Sequence, residues 1–207
     1  MTAQPASRPE QRFVACIEDA HQHAELALDE GRTLDAVVWL SAHLAATLRS
    51  LHRPARHLLA ARPLLADQLT LDRRLERMLR IAEQRHSGDA LAAALDEDRL
   101  ERALRAAVVA HVRHERRLLT VLVDVLDEGA LADLEAAYGA ALEQAPTRPH
   151  PHAPHTGVLG VAAFRVDAWR DRVMDTMDSR HVPTPRPPRA AVVPGRWGSY
   201  LLGEMEP

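Results

Sequence analysis

The chain has no lysine: all 26 basic side chains among its 207 residues are arginines. We read this as the bias of a GC-rich coding sequence, without functional content. Cysteine is nearly absent too. The single Cys16 excludes an internal disulfide and any zinc site built from several thiolates, and it fits a reducing compartment. As a residue beside Ile17, it reads as a small core side chain. Aromatic residues make up 3% of the chain, so a core must be packed from alanine, leucine and other medium side chains, which favours helices. No run approaches about 18 consecutive apolar residues, so no membrane-spanning helix is expected. The opening MTAQPASRPEQRF lacks the apolar core of a signal peptide, and the cytoplasm is the expected setting. A formal net charge of -3 gives no general electrostatic case for nucleic acid. There is no glycine-rich phosphate loop, no βαβ alternation and no period-two strand pattern. No Ser-His-Asp, Cys-His or paired-carboxylate arrangement is visible either, so no enzymatic turnover is expected.

What is present is helical periodicity. Residues 1–9, with Pro5 and Pro9, read as a disordered lead-in. Phe13, Ile17, Ala24 and Leu28 mark a first helix from about Glu10 to Asp29, with Gly31 as its stop. Thr33 or Asp35 opens a second, whose inner face is Val37, Leu40, Leu44, Leu48 and Leu51. Pro54 ends or bends it, and Pro63 marks another interruption. His52 and His57, beside this break, read as exposed or hydrogen-bonded histidines. A third helix spans about Ala66 to His86 on Leu71, Leu75, Met78, Leu79 and Ala82, with Asp72, Arg73, Arg74, Glu76 and Arg77 as a solvated charged face. Ser87-Gly88-Asp89 is a turn. A fourth, long helix runs from about Asp98 to Glu128, and a shorter piece from Ala130 to Gln144.

After Ala145 the composition shifts, since ten of the 14 prolines lie from Pro146 onward. Val158, Ala162, Val166, Trp169, Val173 and Met177 suggest one more amphipathic helix over Val158 to Ser179, with Trp169 as its anchor. The segment 181–207 reads as a Pro- and Arg-rich tail able to dock a protein partner. The expected fold is therefore all-α: an up-down-up-down four-helix bundle over 10–145, then a Pro/His-rich loop and C-terminal helix over 146–180, then the tail.

The fourth helix holds the chemistry. Leu104, Val108, Leu118, Leu122 and Leu126 form one stripe, and His111 and Glu115 fill the gap in its middle, four residues apart. A carboxylate on a core-facing stripe is costly to bury unless it is paired or bound to a metal. His21 lies on the buried stripe of the first helix and His43 borders that of the second. Helix bundles build metal sites from such facing side chains, so His21, His43, His111 and Glu115 are the candidate set, with His114 or Asp72 able to complete it. The same residues also fit a metal-free network in which His111 bonds Glu115 and the other histidines bond a hydroxyl such as Thr47, or each other. His150, His152 and His155 could bind nickel or zinc weakly, or simply pack over one end of the bundle.

Three segments carry a resemblance. Asp19-Ala20-His21-Gln22-His23, then Leu40-Ser41-Ala42-His43-Leu44 with Leu51-His52-Arg53-Pro54, then His111-Val112-Arg113-His114-Glu115 with Leu118-Leu119 resemble the helices of the haemerythrin-like (HHE cation-binding) domain. The likeness covers roughly Glu10 to Glu128, and Thr147 to Arg180 looks like an extension of actinobacterial members of that group. It implies a four-helix bundle and a non-haem iron site at His21, His43, His111 and Glu115. Two positions depart from the family pattern. Thr47 stands four after His43, where the family has Glu, and Gln68, Leu71 and Asp72 stand where the third helix would supply a His. The resemblance therefore implies a single or incomplete site for iron or zinc in place of a di-iron centre. It implies binding of a diatomic ligand such as oxygen or nitric oxide, in sensing, redox or storage. The alternative is a degenerate, metal-free bundle acting as an interaction or regulatory module, as a homodimer or through the C-terminal tail. A small-molecule binder is a third reading.

Overall fold

The computed structural model describes residues 8–149 together with Asp171 and Met174. The described residues form helices and no strand. These are α1 (Pro9–Asp29), α2 (Thr33–Ser50), α3 (His52–Ala55), α4 (Arg62–His86), α5 (Ala90–Ala93), α6 (Glu97–Val125) and α7 (Glu128–Glu143). The four long ones, α1, α2, α4 and α6, are the bundle. None of the described helices is long and apolar enough to cross a membrane. The expected helix over Val158 to Ser179 lies outside the described residues except for Asp171 and Met174, both helical. The residues up to Ser7, the histidines of the proline-rich loop, Trp169 and the tail also lie outside them.

The helix ends follow from local chemistry. Gly31 has φ +72 and Gly88 has φ +79, the left-handed conformation that costs glycine least. At the first, Arg32 N donates to Ala27 O and Gly31 N to Leu28 O; at the second, Asp89 N donates to Gln84 O and Gly88 N to Arg85 O. Both pairs make the six-to-one and five-to-two closure that satisfies the last carbonyls of α1 and α4. Pro54 explains the end of α2. With no N–H it cannot bond the carbonyl of Ser50, and α2 stops at that residue before a single turn, α3, resumes. Pro63 does not interrupt a helix. It sits in the first turn of α4, where a missing N–H is harmless, so α4 begins at Arg62, earlier than the periodicity suggests. Aspartates start the next three helices: Asp89 accepts from Leu91 N and Ala92 N, Asp96 from Arg99 N, and Asp127 from Ala130 N.

Antiparallel neighbours are pinned by side chains. Arg105 of α6 bonds Asp29 and the Leu28 carbonyl at the end of α1, while Arg116 bonds Glu18 further back along α1. On the other side of α6, Arg85 meets Glu97, and His114 meets the Leu64 carbonyl near the start of α4. These contacts give the up-down-up-down order. α7 lies outside it, packed against both α1 and α2 and tied by Glu135 to Arg12.

As a result α2 is the central helix. Val37, Val38, Leu40, Ala42, His43, Leu44, Ala46 and Thr47 are all buried, on every side of it. A helix apolar all round is one surrounded by protein, here by α1, α4 and α7. The core divides into two clusters. One holds Phe13, Ile17, Leu51, Leu65, Leu118, Leu122 and the α7 residues Leu131, Leu134 and Tyr138; the other holds Leu28, Val37, Leu40, Leu75, Leu79, Leu104 and Val108. In sequence, His21, His43, His111 and Glu115 each fall between residues of the two clusters.

Two variants separate core from cap. Leu118→Ala, at a fully buried site, should lower the unfolding free energy by about 2–5 kcal/mol. Asp96→Ala, which removes the α6 cap, should cost only about 1 kcal/mol. Urea unfolding of both proteins checks the ratio.

Candidate metal centre

Each side chain of the polar layer reaches it by helical spacing. Ile17 and His21 are four apart on α1, and His43 follows the buried Leu40 by three on α2. His111 and Glu115 stand one turn apart on α6. All four are buried, none more than 1% exposed. Glu115 Oε2 is the hub. It lies 2.8 Å from His21 Nε2, 3.0 Å from His43 Nε2 and 3.7 Å from His111 Nε2. His43 Nε2 is also 3.2 Å from His21 Nε2 and 3.4 Å from His111 Nε2. One ligand atom from each of the four residues lies within 4.8 Å of all the others. For a tetrahedral ion with bonds near 2.0–2.1 Å, ligand atoms stand roughly 3.3 Å apart. The cluster therefore has the chemistry and the spacing of an N3O ligand set.

The outer partners are as telling. His111 Nδ1 lies 2.9 Å from Asp72 Oδ1, and Gln68 Nε2 donates to that same oxygen at 2.8 Å. A carboxylate only accepts and so draws a proton onto His111 Nδ1, while Gln68 Nε2, also 2.9 Å from that nitrogen, is a donor competing for its lone pair. His43 Nδ1 lies 2.9 Å from the hydroxyl of Tyr138, a fully buried residue of α7. Two atoms of the cluster lack a partner: His21 Nδ1 and Glu115 Oε1. An orphaned, wholly buried carboxylate oxygen is costly. Without an ion, moreover, two imidazole N–H groups aim at the single oxygen Glu115 Oε2. Both features fit a cation among these residues.

The remaining candidates are placed elsewhere. His114 donates to the Leu64 carbonyl and stays out of the cluster. Asp72 is neither part of the solvated face nor among the converging atoms; it is buried, and it holds His111 from behind. Thr47 turns its hydroxyl onto its own helix, donating to the carbonyls of His43 and Leu44, so it does not serve the histidines. His52, expected at the surface or hydrogen-bonded, is buried, with neither nitrogen hydrogen-bonded, although its Nε2 lies 3.5 Å from Asp72 Oδ2. The break at Pro54 turns it inward. Cys16 is half-buried, and burial with the nearby Glu135 charge pushes its thiol up to about 12, which leaves it protonated and inert.

Tyr138 is the residue that sequence reasoning missed. Its helix is short and its inward face shows no distinctive pattern. Gln68 four before Asp72 was the one available signal for a polar pair facing His111.

The titration behaviour follows from burial and neighbours. Burial pushes His43 down, against the pull of Glu115, and pushes His52 down, against that of Asp72. Burial also opposes charging of His111, but Glu115 and Asp72 outweigh it and raise the group. For Glu115 burial works against ionisation, yet His43, His111 and the bonds from His21 and His43 hold the carboxyl well below its usual value.

No protein-family model matches the chain, and no curated protein or solved structure matches it. Sequence and structure together support an all-helical bundle with a buried cluster of three histidines and one glutamate suited to a metal ion.

The metal-free protein should lose stability on acidification in two stages. His43 and His52 have lowered values when folded, so the unfolded chain takes up more protons as the pH falls below about 6.5, and stability drops. Glu115, also lowered, keeps its contribution above about pH 4.5 and loses it as the pH falls further. His111, raised, acts in the opposite sense above about pH 6.5. Urea unfolding at a series of pH values checks this, and the steepening below about pH 4.5 should shrink in Glu115→Gln.

Proposed function

We propose that this is a haemerythrin-like metal-binding protein whose buried His21, His43, His111 and Glu115 hold one non-haem iron ion for sensing or storage of oxygen, nitric oxide or redox state. The observation that carries the reading is the convergence of four ligand atoms from three helices, inside the core, with Glu115 Oε1 left unpartnered. An N3O donor set suits ferrous iron or zinc. One ion is favoured over two because Thr47 offers no carboxylate and Asp72 is already engaged behind His111. Ferrous iron, when bound, supplies affinity for diatomic ligands and a one-electron couple.

The protein's own residues supply the rest. Asp72 and Tyr138 hold the rings of His111 and His43 in orientation, and the two apolar clusters exclude water. In this reading the protein stores or senses without turning over a substrate, works in the cytoplasm, and meets a partner or a second copy through its C-terminal tail.

A second reading has one observation in its favour. Glu115 Oε2 accepts from both His21 and His43, so a network can also close without an ion. That version is a metal-free interaction or regulatory module.

Metal content of untagged protein purified without chelators, with absorption spectra before and after air, decides between them. The expected result is about one iron per chain, lost in His111→Ala and Glu115→Ala variants that still fold. Iron or zinc added at about 100 times its dissociation constant should raise the unfolding free energy by about 2.7 kcal/mol. Absence of metal, with melting unchanged on adding either ion, would leave the metal-free module.

A further inference from the structure

The three histidines of the cluster differ in what stands behind them. His111 Nδ1 faces two groups at 2.9 Å, the carboxylate oxygen Asp72 Oδ1, which accepts, and the amide nitrogen Gln68 Nε2, which donates. His21 Nδ1 has no partner at all. His43 Nδ1 faces the hydroxyl of Tyr138 at 2.9 Å, and a hydroxyl both donates and accepts.

The inner side of His43 then dictates the direction of that bond. Its Nε2 lies 3.0 Å from the carboxylate oxygen Glu115 Oε2, and 3.2 Å and 3.4 Å from the Nε2 atoms of His21 and His111. Glu115 Oε2 is the nearest of these atoms and, as a carboxylate oxygen, only accepts, so Nε2 carries the proton in the metal-free protein. Nδ1 is then a bare lone pair, and Tyr138 must donate to it. A metal ion bound at Nε2 needs the lone pair there. The proton that leaves Nε2 is matched by one on Nδ1, so His43 stays neutral, and Nδ1–H must now donate to the phenol oxygen.

We propose that Tyr138 is a positioning residue for His43 whose hydroxyl exchanges roles with site occupancy, donating to Nδ1 without metal and accepting from Nδ1–H with metal bound. The inference rests on the metal-binding reading above. It also means that occupancy is felt in α7, the helix outside the four-helix frame, through the one polar contact it makes with the cluster among the described residues. His43 Nδ1 keeps a partner in both states, while the hydroxyl proton of Tyr138 gives up its acceptor when metal binds.

The test uses the full chain with zinc, whose diamagnetism permits NMR. Histidine labelled with 15N in the ring reports which nitrogen is protonated. In the zinc-free protein His43 should show a protonated Nε2 and a bare Nδ1; after one equivalent of zinc, a protonated Nδ1. The near-ultraviolet tyrosine band should shift as zinc is added, and the shift should vanish in Tyr138→Phe; the chain's other tyrosine, Tyr200, serves as the internal control. Zinc affinity should fall about tenfold in Tyr138→Phe, because the buried Nδ1–H of the bound state loses its acceptor. If that variant does not fold, the tautomers of the unaltered protein with and without zinc still decide. Zinc uptake with a protonated Nδ1 in both states, or with no tyrosine shift, overturns the inference and leaves the metal-binding reading intact. Failure of the unaltered protein to take up zinc or iron overturns both.

Discussion

A carboxylate with no exposure to water stands at the middle of this bundle. Burying Glu115 costs several kcal/mol unless the charge is compensated, and the compensation comes from the imidazoles of His21 on α1 and His43 on α2 at 2.8 and 3.0 Å. Such contacts tolerate little sliding. A shift of α1 or α2 by one helical turn would carry His21 or His43 about 5.4 Å away and leave the charge uncompensated. The polar layer therefore fixes helix register in a chain whose apolar residues are mostly interchangeable alanines and leucines.

The rest of the architecture can be seen as support for that layer. α2 carries His43 and is enclosed on every side, which is why α7 exists as a fifth large element: it covers the outer face of α2 and delivers the Tyr138 hydroxyl to the back of His43. α4 contributes nothing to the converging atoms. Its Gln68 and Asp72 instead orient the ring of His111. The tight glycine turns after α1 and α4 and the aspartate starts of α5, α6 and α7 set where each helix begins and ends, and so which turn of each faces the layer.

The four-helix frame and the convergence of His21, His43, His111 and Glu115 were legible because apolar stripes at spacings of three and four identify the inward face, and these residues sit on it. The supporting residues were not. Asp72 lies among Arg73, Arg74 and Arg77 in a segment that looks solvated, and only the packing of α4 against α6 reveals that it faces His111. The orientation of His52 depends on how the chain turns at Pro54, which periodicity cannot describe. Tyr138 required knowing where α7 docks, a matter of tertiary packing across 95 residues of chain from His43. Pro63 misled for a local reason: a proline tolerated in a first turn looks the same in a sequence as one that breaks a helix.

The burial of the cluster has a kinetic consequence. The inner faces of His21, His43, His111 and Glu115 have no aqueous approach, since none is more than 1% exposed and apolar clusters close the layer above and below. A hydrated cation, or a chelator seeking one, can reach these atoms only when the helices part. Rates of loading and removal are then those of a sub-global opening of the fold, whatever the strength of the individual bonds. A small uncharged gas faces no such requirement, because it can pass between side chains during ordinary fluctuations. Under the metal-binding reading proposed above, the same packing would slow the passage of ions far more than that of small uncharged molecules.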